Sequence, residues 1–240
     1  QDSGLILTCG PTGSGKTTTL YNCIRSIDRI SRNVITIEDP VEYQLDNVTQ
    51  IPIDEHKGNT FGTMLRSVLR QDPDVILVGE IRDLETIEAA ISAAETGHVV
   101  FTTLHIINAG QTINRILGMF DKEEEPLIRQ RLSDTLRWVT SQRLVPKIGG
   151  GLHLVTEIMG SNLRSREVIQ LGESEKRNLH EIIESSVTPY GWHSFEQSLL
   201  KAFQAGLIME ETALLHSTHK NKLRQAIDLS RHARRAQPAT

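Results

Sequence analysis

The stretch GPTGSGKTTT, residues 10–19, stands directly behind the apolar run LILTC. Three glycines, a proline and a lysine between an apolar segment and a helix-forming one leave few folds open. The spacing Gly-x-x-x-x-Gly-Lys-Thr runs from Gly10 to Thr17. It follows a strand pattern, Leu5 to Cys9, and precedes a helical one, Thr17 to Ile30, which is the setting the motif requires. Glycines let successive backbone N–H groups turn inward and form a cradle for phosphate oxygens. The helix N-terminus adds the positive end of its dipole. On this reading Gly10, Pro11, Thr12, Gly13, Ser14, Gly15, Lys16, Thr17 and Thr18 grip a nucleoside triphosphate. Lys16 reaches its outer phosphates and Thr17 binds Mg²⁺.

Alternating elements follow. NVITIEDPVEY reads as a strand ending in acids and a proline. VTQIPID, Val48 to Asp54, reads as an edge strand limited by Pro52. FGTMLRSVLRQ has helical spacing, DVILVGE is a second buried strand, LETIEAAISAAETG is a helix closed by Gly97, and HVVFTTLH is a further strand. This order predicts an α/β fold with a mostly parallel sheet covered by helices on both faces. Leu127 to Val145 reads as one long amphipathic helix, and RLVPKIGGGLHLVTEIM as two short strands around a glycine turn. From Ser161 the pattern is helical, broken at VTPYGWH. The predicted division is therefore an α/β core over 1–160 and a small helical bundle over 161–240. The tail from Lys220 to Arg235 carries six Lys/Arg against one Asp and reads as a solvated helix face.

Charge and composition narrow the function classes. The net charge of −4 gives no global basic field for nucleic acid or an anionic membrane. No apolar run approaches the roughly 20 residues of a membrane helix. Cys9 and Cys23 form no Cys-x-x-Cys pair, so they read as small buried hydrophobes in a reducing compartment rather than zinc ligands. The chain opens on Gln1 and enters a strand almost at once, so the expectation is a fragment whose natural N-terminal part is missing.

Ligands of open α/β sheets lie beyond the carboxyl ends of the strands. The acids delivered there are Glu38, Asp39 and Glu42 from one strand and Glu80 from another. Hydrolysis of a triphosphate needs one carboxylate for Mg²⁺ and another to orient or deprotonate water. A plain phosphate-loop enzyme has an aspartate where this chain has Gly79. Either Glu80 does that work or it shares it with the Glu38–Glu42 group. His98 and His105 flank VVFTTL and stand more than roughly 20 Å apart on a strand, too far to share a metal. His105, at the carboxyl end, is placed to meet either the γ-phosphate or the catalytic glutamate. His98 reads as a structural histidine.

GPTGSGKTTTLY, TIEDPVEY, LRQDPDVILVGEIRD and AAETGHVVFTTLH resemble, in order and spacing, the Walker A, Asp, Walker B and His boxes of the secretion-type motor ATPases. That family drives type II secretion and type IV pili. Its extension and secretion branches usually carry a zinc insertion of four cysteines, which this chain cannot build. NLRSREVIQLGE and YGWHSFEQSLLKAFQAGLI are similar to the C-terminal region of the pilus retraction branch. The resemblance implies a RecA-like core in a homo-hexameric ring at the cytoplasmic face of the bacterial inner membrane. That ring uses ATP and Mg²⁺ and works on a platform protein in the membrane, with retraction and twitching motility as its output. It also implies Glu42 as general base, Glu80 supporting Mg²⁺ and its water, and His105 sensing the γ-phosphate. Relatives have an N-terminal domain that lends arginines to the nucleotide, so this chain is expected to bind ATP but hydrolyse it poorly.

Other classes fit less well. A P-loop kinase would need an arginine-rich lid, and none stands out. A DNA translocase is disfavoured by the acidic balance. Extension or secretion ATPases of the same family, and a nucleotide-gated scaffold with little hydrolysis, remain the alternatives.

Overall fold

Among the described residues, seven strands form one sheet in the order β3-β2-β4-β5-β1-β6-β7. They are β1 (Gly4–Cys9), β2 (Val34–Glu38), β3 (Thr49–Pro52), β4 (Val75–Val78), β5 (Val99–Leu104), β6 (Leu136–Pro146) and β7 (Leu152–Gly160). The computed structural model describes residues 3–175, 177–186 and 191–236, with side chains up to 232. Every neighbouring pair is parallel except β6 with β7. The central strands carry unbroken apolar runs because both faces are covered: β4 (VILV) and β5 (VVFTTL) are buried at every residue. Pro52, which lacks an N–H, lies in β3 at the edge of the sheet.

The helices are α1 (Lys16–Arg25), α2 (Phe61–Val68), α3 (Leu84–Glu95), α4 (Ala109–Leu117), α5 (Glu125–Thr135), α6 (Leu163–Leu171), α7 (Leu179–Ser185), α8 (Phe195–Gln204), α9 (Glu210–His216) and α10 (Lys220–Ala236). One face of the sheet packs Leu5, Leu7, Ile37, Val78 and Val100 with Leu65, Ile87 and Ile91 of α2 and α3. The other packs Val75, Leu77 and Phe101 with Leu20, Tyr21 and Ile24 of α1. Each such fully buried side chain contributes roughly 1.5–3 kcal/mol. The core does not stop at Gly160. Val168 and Ile169 of α6 and Leu179, Ile182 and Ile183 of α7 belong to the first cluster. Helices α8 to α10 build a separate cluster on Val145 and Val155 of the β6–β7 hairpin.

Two helical expectations fail in instructive ways. The long helix over Leu127–Val145 is α5 followed by β6. Its apolar spacing suits either element, but the Leu136–Val145 half is rich in Trp, Val and Thr. It pairs along β1 from Leu5↔Leu136 to Cys9↔Ser141, so tertiary pairing decides. The two strands around the glycines are correspondingly longer than the short ones expected, and they turn through Gly149, Gly150 and Gly151, all at left-handed φ. The helix expected over Thr17–Ile30 ends at Arg25. There Ser26 Oγ bonds back to Asn22 O, and Asp28 accepts from the N–H groups of Ile30 and Ser31, which turns the chain. Helix α4 had no counterpart in the periodicity. Of the expected break at VTPYGWH, residues 187–190 lie outside the described residues, whereas His193 forms a bridge with Ile158. In the basic tail, Leu223 and Ile227 of α10 are buried and most other described side chains are exposed. Its Arg234 and Arg235 side chains lie outside the described residues. No described helix is long and apolar enough to cross a membrane.

Candidate active site

Four adjacent strands, in the order β2-β4-β5-β1, end at one edge of the sheet. Ile37 pairs with Val78, Val78 with Thr102 and Cys9 with Leu104, so the residues just beyond them leave the sheet at similar heights. The chain after β1 is the phosphate loop. The segments after β2, β4 and β5 carry Asp39–Glu42, Gly79–Glu80 and His105. A cleft of about 620 Å³ opens there. Among its lining are Lys16, Thr17, Glu42, Glu80, His105 and Tyr43.

The loop geometry follows from its glycines. Gly10, Gly13 and Gly15 have φ of 147°, 78° and 87°, where a side chain is strained. A Cβ on Gly10 would stand 2.5 Å from the Gln142 carbonyl oxygen of β6, so the loop is seated directly on that strand. Gly15 caps α1 in a left-handed conformation, and Lys16 begins the helix. Lys16 Nζ donates to the carbonyls of Gly10 (2.8 Å) and Pro11 (3.0 Å), spanning the mouth of the loop. Burial pulls its ammonium below the usual lysine range, and the carboxylate of Glu80 partly opposes this. Thr12, Gly13, Gly15, Thr17 and Thr18 also line the cleft. Gly10 and Ser14 are buried behind it. Ser14 Oγ has no hydrogen-bond partner among the described residues.

The acids divide by environment. Glu38 also lines the cleft but is buried, with both oxygens engaged. One accepts from Thr36 Oγ1 (2.5 Å) and Gln50 Nε2 (3.1 Å), and the other accepts from the Tyr21 hydroxyl. That hydroxyl in turn accepts from Glu42 N (3.3 Å), which ties the loop after β2 to α1. Burial, then the bond to Glu38, pushes the Tyr21 phenol up, so it stays protonated and donates. The side chain of Glu42 is exposed at the cleft, free of hydrogen bonds or ion pairs to other described residues. Glu80 is half-buried: Oε2 accepts from Arg82 Nε at 3.0 Å and Oε1 stands 3.2 Å from His105 Nε2. The other His105 nitrogen lies 3.4 Å from Lys16 Nζ.

Glycine at position 79 has a steric reason. A Cβ there would meet Ile37 O at 3.2 Å and the Phe61 ring at 3.3 Å. The next residue, Glu80, lines the cleft. Thr103 Oγ1 fixes the turn by donating to Gly79 O at 2.7 Å. His98, at the opposite end of β5, is held by Ala93 O at 2.9 Å and stays apart from the cleft. Cys9 is buried, with its thiol pushed up to about 12 by desolvation, and Cys23 is half-buried.

Tyr21, Gln50, Arg82 and Thr103 shape this site and were not singled out in the sequence. Arg82 stood inside the quoted GEIRD box, and its spacing of two from Glu80 was the available signal. Tyr21 and Gln50 reach Glu38 from 17 and 12 residues away in the chain, and no local pattern marks such contacts.

A family model described as type II/IV secretion system protein matches residues 1–203. The chain is 41% identical over 216 residues to the type IV pilus retraction ATPase PilT of Pseudomonas aeruginosa, covering 88% of this chain and 61% of that protein. It is 49% identical over 142 residues to the type II secretion system protein E of Aeromonas hydrophila, covering 59% of this chain and 27% of that one. Among solved structures, the pilus retraction motor PilT with bound ADP superposes with a TM-score of 0.85 at 40% identity, over 94% of this chain and 64% of that one. The chain thus spans less than two thirds of the length of the retraction ATPase it matches.

Proposed function

The chain belongs to the type II/IV secretion system protein family, and on that premise we propose that it is the ATP-hydrolysing core of a ring-shaped motor that powers pilus retraction. The observation that carries this reading is the cleft itself: a phosphate-binding loop faces two carboxylates, Glu42 and Glu80, from neighbouring strand ends.

The backbone amides of Gly13–Thr18 hold the β- and γ-phosphates, and Lys16 exchanges its carbonyl partners for phosphate oxygens. The hydroxyl of Thr17 and the carboxylate of Glu80 form an all-oxygen donor set suited to Mg²⁺, which when bound neutralises developing phosphate charge. Glu42, unencumbered at the cleft, takes a proton from the attacking water. Glu38 sits behind it and, through Tyr21, fixes the loop that presents Glu42. His105 lies between Glu80 and Lys16, where it meets the γ-phosphate and couples its presence to Glu80.

In this reading residues 1–160 are the ATPase core and 161–240 the helical region, of which α6 and α7 pack into that core and α8 to α10 form a small bundle on the β6–β7 hairpin. Six copies form a ring at the cytoplasmic face of the inner membrane and act on a platform protein there. Retraction is favoured over extension or secretion because the similarity to the retraction ATPase runs over 216 residues, against 142 for the secretion protein. Deleting the gene tests this directly. Accumulation of surface fibres supports retraction, and their loss points to extension or secretion.

A further inference from the structure

A second cavity, of about 920 Å³, opens between α4, α7 and the start of α10, with Asn108, His180, His219 and Lys222 among its lining. His180, which lines this cavity, lies beside Glu184 of α7 and Glu196 of α8, and the three each offer one ligand atom, all within 4.8 Å of one another. The four-residue spacing on α7 puts the first two on one face of the helix, and His180 Nε2 stands 3.3 Å from Glu184 Oε1.

Two independent observations make this more than a polar cluster. Glu196 is 5% exposed. Its Oε1 accepts three bonds at 2.9 Å, from Ser217 Oγ and the N–H groups of Thr218 and His219, whereas its buried Oε2 has no hydrogen-bond partner. The buried Nε2 of His180 faces Glu184 Oε1 at 3.3 Å without the geometry of a hydrogen bond. Native folds seldom leave buried polar atoms unpaired, and two such atoms on adjoining side chains call for one group that satisfies both.

We propose that His180, Glu184 and Glu196 bind a divalent cation of the zinc class. An imidazole with two carboxylates suits Zn²⁺, whereas Mg²⁺ prefers oxygen ligands alone. Three protein ligands leave a fourth position for water from the cavity. Tetrahedral bonds of about 2.0–2.1 Å bring ligand atoms to roughly 3.3 Å from one another, so small side-chain movements close the site. The surroundings hold the carboxylates in place: Ser194 Oγ donates to Glu184 at 3.0 Å, and the Ser217–His219 segment before α10 grips Glu196. Lys222 pairs with Glu184 and would be displaced by the cation. The ion would clip α7 to α8, apart from the Mg²⁺-nucleotide site.

The test is calorimetric titration of the metal-free chain with Zn²⁺ in the absence of nucleotide, with thermal melting and Co²⁺ visible absorption alongside. The expected result is one Zn²⁺ per chain, a raised Tm and tetrahedral Co²⁺ bands, with Mg²⁺ producing none of these. Glu196→Gln and His180→Gln should each weaken Zn²⁺ binding at least about tenfold. Because Glu196 also anchors α10, His180→Gln decides the matter if Glu196→Gln does not fold. No Zn²⁺ uptake, equal stabilisation by Mg²⁺, or unchanged Zn²⁺ affinity in a folded His180→Gln variant would overturn the proposal.

Discussion

The imidazole Nε2 of His105 stands 3.2 Å from Oε1 of Glu80. Its other nitrogen lies 3.4 Å from Lys16 Nζ. One ring from the end of β5 thus spans the carboxylate after β4 and the lysine after β1, linking three strand ends at the point where the terminal phosphate would sit.

In the proposed reading His105 senses the γ-phosphate and orients Glu80, and supplies little of the binding energy for nucleotide. The variant His105→Ala is expected to keep ATP affinity within a few-fold and to slow phosphate release on the order of 100-fold, the scale of a misplaced reacting group. Equilibrium binding of a fluorescent ATP analogue, measured beside single-turnover hydrolysis, separates the two effects. A large loss of affinity with unchanged hydrolysis would contradict the assignment.

The seat of the phosphate loop on β6 is tested at Gly10. Its φ of 147° and the 2.5 Å approach of the Gln142 carbonyl leave no room for a methyl group. Gly10→Ala should therefore destabilise the chain by about 2 kcal/mol or more and lower ATP affinity with it. Gly13 is the control, since a Cβ there meets nothing within 4 Å. Gly13→Ala bears only the strain of its positive φ and should melt closer to wild type.

A pH dependence is built in beneath the second cavity. Glu157 accepts a bond from Ala109 N at 2.9 Å. Burial, reinforced by Glu196, raises its pKa from the ordinary 4.5 to about 7. Between those values the folded chain holds a proton that the unfolded chain has released, so this group's contribution to stability falls as pH rises through the window. Glutamine keeps the acceptor without the charge. The stability difference between Glu157→Gln and wild type, followed by thermal melting, should therefore be small at pH 5 and favour the variant at pH 8, by up to a few kcal/mol at about 1.4 kcal/mol per pKa unit. Parallel melting curves across the range would refute it.

Local chemistry explains what the sequence disclosed. The loop, its strand and its helix are specified by neighbouring residues, so Gly10 to Thr18 and β1 were legible. The buried runs of β2, β4 and β5 likewise announced a parallel sheet, which in turn placed Glu38, Glu42, Glu80 and His105 at one edge. Pairing between distant segments was not legible. Leu136–Pro146 carries a spacing compatible with a helix and becomes a strand only because β1 offers it an open edge. The saturation of Glu38 by Tyr21 and Gln50 depends on the same long-range assembly, so its difference from Glu42 became visible only once the chain was folded.

The central claim is that Glu42 and Glu80 act together on a nucleotide gripped by the phosphate loop. Single-turnover phosphate release by Glu42→Gln and Glu80→Gln, each beside equilibrium ATP binding, tests it most directly. Both variants are predicted to bind ATP within a few-fold of wild type and to release phosphate about 10²–10⁴-fold more slowly. Release at the wild-type rate by either one would contradict the account.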